Sequence, residues 1–60
     1  MTEVKFAFDL GQIVWVVESN EKAEIKRAMI VLGMGENVYI LKPLDGKVEV
    51  EVLESDLKAE

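Results

Sequence analysis

Hydrophobic and polar positions alternate most regularly between Tyr39 and Val52, in the run YILKPLDGKVEVEV. With Asp45-Gly46 as the centre of a two-residue turn, the register of the flanking segments follows, because turn type sets strand pairing. Counting outward, Leu44 faces Lys47, Pro43 faces Val48, Lys42 faces Glu49, Leu41 faces Val50, Ile40 faces Glu51 and Tyr39 faces Val52. One side collects Tyr39, Leu41, Pro43, Val48, Val50 and Val52. The other carries a Lys42/Glu49 charge pair and Ile40 beside Glu51. This sorting predicts a β-hairpin whose first side is core.

The rest of the chain reads the same way. Residues 3 to 10 alternate briefly, with Val4, Phe6 and Phe8 on one side, which predicts a short strand or extended arm. Asp9-Leu10-Gly11-Gln12 breaks it, and Gly11 suits a tight bend or a positive φ. Residues 12 to 18, QIVWVVE, are β-branched and aromatic and predict a strand. Ser19-Asn20-Glu21-Lys22 is a polar turn, and residues 23 to 32 resume a strand. A turn centred on Asn20-Glu21 pairs Val16 with Ile25 and Val14 with Arg27 on one face, and Trp15 with Lys26 and Val17 with Glu24 on the other. A helix over residues 21 to 32 is the alternative, since that segment is rich in helix formers. Its β-branched end and the Gly33-Met34-Gly35 that follows favour the strand. Near the C-terminus, Glu54-Ser55-Asp56-Leu57 predicts one helical turn capped by Ser55, with Leu57 folding back on the core and residues 58 to 60 frayed.

Composition narrows the function classes. Sixty residues suit one domain, 1–60, without a linker. A chain of this length buries only about 60% of its unfolded surface, so stability from outside the monomer is expected. Yet 50% of the residues are hydrophobic, an excess that needs burial. There is no cysteine or histidine, which removes disulfides, thiolate or imidazole metal sites, the imidazole base and the thiol nucleophile, and Ser19 and Ser55 are read as turn and cap residues. Neither a cofactor nor a metal is expected, and no catalytic residue is assigned. No apolar run is longer than Ala28 to Leu32, which is too short to span a bilayer, and the N-terminus has no signal-peptide pattern, so a cytoplasmic protein without membrane contact is expected. Twelve acids against seven bases, a net charge of −5, argue against direct nucleic-acid binding.

Five short strands and a terminal helical turn predict an all-β fold: a small, strongly bent, five-stranded antiparallel barrel. Residues 8 to 16, FDLGQIVWV, followed by Val38-Tyr39-Ile40-Leu41, Asp45-Gly46 and Glu54-Ser55-Asp56-Leu57, resemble the SH3-like small barrels, particularly the Tudor-like ones. The resemblance implies that Val14 and Val16 point inward and Trp15 outward. The chain departs from the binding members of that group: its four aromatics are too few for a cation cage or a proline-peptide groove with Tyr39 turned inward.

If the inward positions fill the core, Ile13, Trp15, Val17, Ala28, Ile30, Leu32, Val38 and Ile40 form an apolar strip on the back of the sheet. A bulge near Arg27-Ala28 would instead flip the parity and turn Ile30 and Leu32 inward. The strip is read as an interface with a protein partner or, most simply, with further copies of the chain, through Ile13, Trp15, Val17, Ile30 and Ile40. The expected function is a non-enzymatic interaction module or accessory subunit. Two alternatives stand beside it. An acidic inhibitor or nucleic-acid mimic would use a patch of Glu49, Glu51, Glu54 and Asp56. An oligomeric ligand-binding or catalytic assembly would place its site on the symmetry axis.

Overall fold

The computed structural model describes residues 5 to 60. Strands β1 (Ile13–Val16), β2 (Glu21–Ile30), β3 (Asn37–Pro43), β4 (Val50–Leu53) and β5 (Leu57–Ala59) form one antiparallel sheet in the order β4-β3-β2-β1-β5. The fold is all-β as expected, and residues 21 to 30 are strand, not helix. The sheet does not close; β4 and β5 are its two outer edges.

Five strands were expected and five form among the described residues; four are the expected ones, and the fifth, β5, replaces the expected N-terminal one. Of the short strand or extended arm expected over residues 3 to 10, the described part, residues 5 to 10, is an irregular arm, while Glu3 and Val4 lie outside the described residues. The arm's N–H groups go to side chains instead of a neighbouring strand, Ala7 to Glu54 Oε2 at 3.2 Å and Phe8 to the Tyr39 hydroxyl at 3.4 Å. Instead of fraying, residues 57 to 59 pair with β1, joining Val16 to Leu57, Trp15 to Lys58 and Val14 to Ala59. The turn before them is a 3-10 helix, Glu54–Asp56, and Ser55 does not cap it. Its cap comes from 19 residues away, where the Ser55 N–H donates to Glu36 Oε1 at 2.8 Å. Leu57 is buried, as expected.

The β1–β2 turn closes earlier than predicted. Val14 pairs with Ala23, Trp15 with Lys22 and Val16 with Glu21, so the expected Val14–Arg27 pairing is displaced by four residues. Asn20 closes the reversal from the left-handed region, at φ 56°, with its N–H on the Val16 carbonyl at 2.7 Å. Asparagine tolerates that conformation better than most residues. Because four is an even number, the side chains of β1 and of β2 up to Ile25 keep their predicted faces; beyond the bulge at Lys26 the parity changes and Arg27 moves to the face of Ile40.

In β3–β4 the predicted register holds for Leu41 with Val50, Ile40 with Glu51 and Tyr39 with Val52. Nearer the turn it fails. The Leu44 N–H donates to Lys22 O at 3.1 Å, and the Gly46 N–H to Pro43 O at 3.0 Å. The chain therefore stays with β2 one pair longer and turns over Leu44-Asp45, and Gly46 does not take a positive φ. The Pro43–Val48 and Lys42–Glu49 pairs do not form, and Val48 and Val50 are exposed at 74% and 41%.

A bulge at Lys26 separates the pairs Ile25–Leu41 and Arg27–Ile40, where an extra residue bends and twists a strand. The core cluster of Val14, Ala23, Ile25, Tyr39, Leu41 and Leu57 lies on one face, with Phe8, Val16, Ala28 and Val52 against it.

Candidate functional site

The polar centre of the molecule is one carboxylate oxygen. Glu54 Oε2 accepts from the Tyr39 hydroxyl at 2.6 Å, from Asn37 Nδ2 at 3.0 Å and from the Ala7 N–H. Asn37 Nδ2 also donates to Lys5 O at 2.7 Å. Phe6 and Phe8 meet the Tyr39 ring edge-on, with centroids 6.0 and 5.6 Å away. The cluster ties the arm, β3 and the 3-10 turn together. Its hydrogen bonds from Tyr39 and Asn37 hold Glu54 below the usual carboxylate range, while burial, and then the Glu54 partner, push Tyr39 up. Three of the four aromatics thus converge, but around a fully buried ring already engaged by a carboxylate, not around an open cage.

Glu54 was expected in a solvated acidic patch and is instead structural. Of its companions, Glu49 and Glu51 are exposed near the β4 edge, and Asp56 is half-buried in the 3-10 turn, its carbonyl accepting from the Val17 N–H at 2.9 Å. Among the described residues no group of three or more carboxylates is placed to hold a metal ion.

The five expected interface residues do not form one strip. Ile13, Trp15 and Ile40 share the back face, each half-buried. Between them run Glu24 opposite Ile13 and Lys42 opposite Glu24, while Lys22 and Lys58 flank Trp15. Lys22 Nζ sits 5.0 Å from the Trp15 ring centroid and 3.0 Å from Glu60 Oε2. Val17 leaves the sheet at the β1–β2 turn, and the bulge puts Ala28 and Ile30 on the face of Tyr39. The parity flip weighed from the sequence is real and one position early, yet Ile30 stays 57% exposed and Leu32 95%.

The apolar surface left open lies at the other end of β2. Ile30, Val31, Leu32 and Met34 are all exposed around the β2–β3 loop. Beside them a groove of about 660 Å³ runs between the arm and the second half of β2, lined by Phe6, Phe8, Leu10, Ala28 and Met29 with Asp9, Lys26 and Arg27. The groove exists because β2 is longer than β1. Among the described residues its last backbone hydrogen bonds on that side are made by Ile25, which accepts from the Gly11 N–H at 2.7 Å and donates to Gln12 O at 2.9 Å. The sequence signal for this surface was the uncharged run from Ala28 to Gly35, matched in length only by Leu10 to Val17, which supplies β1. No protein-family model, curated protein or solved structure matches the chain.

Proposed function

We propose that the chain is an SH3-like interaction module that works by contact and not by chemistry, self-associating through the apolar surface at the Ile30 end of β2. The observation that carries this reading is the exposure of Ile30, Val31, Leu32 and Met34 in one stretch, a concentration that a small soluble monomer leaves open only at a cost in solubility. The small-barrel reading draws support from β5 returning to β1 after a 3-10 turn and from the bulge in β2. Light scattering over a concentration series tests the function. Wild type should exceed the monomer mass and Leu32→Glu should shift toward monomer, while Trp15→Ala, in its setting of charges, should assemble as wild type does. A wild-type monomer at every concentration removes the reading.

A further inference from the structure

We infer that the second half of β2 is a pairing edge for a second copy of the chain, joined antiparallel about a two-fold axis so that two sheets become one. This deepens the self-association reading and rests on it.

The backbone supplies the first argument. Ile25 turns both its N–H and its C=O toward the β1 side, and Lys22 O serves β3. After the extra residue at Lys26, Arg27 and Met29 lie opposite Ile40 and Val38 of β3. Alternation along an antiparallel ladder then turns the N–H and C=O of Ala28 and Ile30 away from β3, to the open side. No backbone hydrogen bond among the described residues reaches them there. Such a row of unpaired groups is a template for another strand.

Self-matching supplies the second. The outward groups belong to residues on the face of Tyr39, so two such edges related by a two-fold axis normal to the sheet pair with that face continuous across the join. The outer edge of β4 has the opposite parity, since Val50 and Val52 spend their groups on β3 and leave those of Glu51 outward.

Charge chooses the register and the occupant. Each copy carries a net −5, and the outer edges carry Glu51 on β4 with Glu49 beside it, and Lys58 on β5 with Glu60 beside it. Residues 28 to 35 carry no charge. Centring the pairing on Met29 sets Ala28 against Ile30 of the partner subunit, and Arg27 against Val31 of the partner subunit. The two Arg27 residues then lie four positions apart along the strands, roughly 14 Å, beyond the screening length of about 8 Å at physiological salt.

The test is a synthetic full-length chain with an N-methyl group on the Ala28 nitrogen, which leaves every side chain and the β2–β3 ladder intact. By symmetry it deletes two hydrogen bonds of the join, and the dimer Kd should rise at least about tenfold. An unchanged Kd in a folded chain overturns the edge and leaves self-association standing; a monomeric wild type overturns both. If the methylated chain fails to fold, amide exchange on wild type decides. Slowing at Ala28 and Ile30 as concentration rises supports the join, and concentration-independent exchange there overturns it.

Discussion

Tyr39→Phe removes a single oxygen from the core, and its consequences can be worked through. The hydroxyl donates to Glu54 at 2.6 Å and receives a long bond from Phe8 at 3.4 Å, so the loss is dominated by one charge-assisted hydrogen bond. Such bonds contribute about 1.5–3 kcal/mol. A domain of this length is stable by roughly 3–9 kcal/mol, so the change removes a large fraction of the total. With a urea m-value of about 1 kcal/mol/M for so small a chain, the midpoint should fall by roughly 1.5–3 M. Trp15 fluorescence during a urea titration reads it. The pH dependence gives an independent check. Glu54 is depressed in the folded state, chiefly by Tyr39, from an ordinary 4.5. Its contribution is therefore complete above that value and lost as pH falls through the folded pKa. Tyr39 is raised above its ordinary 10.0, by burial first and then by Glu54. Its contribution is complete below 10.0 and lost as pH rises through the folded value. The gap between wild type and Tyr39→Phe should be widest at neutral pH and shrink at the acid end. A midpoint unchanged at pH 7, or a gap indifferent to acid, would refute the assignment of Glu54 as the hub.

Other perturbations separate the remaining contributions. Leu57→Ala empties a buried site that anchors β5 to β1, and thermal unfolding should show a loss of about 2–5 kcal/mol; a loss under 1 kcal/mol would mean that β5 is dispensable. At Gly11, φ is +83° and nothing lies within 4 Å of an added Cβ. Gly11→Ala should therefore cost about 1–2 kcal/mol through backbone conformation alone, and D-alanine at that position should restore full stability, an outcome that steric crowding could not produce. Glu36→Ala leaves the Ser55 N–H without its acceptor and should lower stability by about 0.5–1.5 kcal/mol, with no effect expected from Ser55→Ala.

Alternation in the sequence determined which side chains share a face. Val14, Ile25, Tyr39 and Leu41 are core residues because side chains on a strand repeat every second position, and even a four-residue error in the β1–β2 register leaves that property untouched. The pairings of Tyr39, Ile40 and Leu41 with β4 were legible for the same reason. The tertiary structure decided whatever depends on competition between distant backbone groups. Leu44 bonds to Lys22, so the chain turns over Leu44-Asp45, one residue before the predicted centre; Glu36 displaces Ser55 as a cap; Ala7 and Phe8 donate to side chains, which leaves the arm without a strand partner. Glu54 looked like one more solvated acid, and only the folding of Asn37, Tyr39 and the arm onto a single oxygen makes it structural. Local spacing specifies orientation along a strand. Which hydrogen-bond donor reaches which acceptor is decided by how the whole sheet, its arm and its turns pack together.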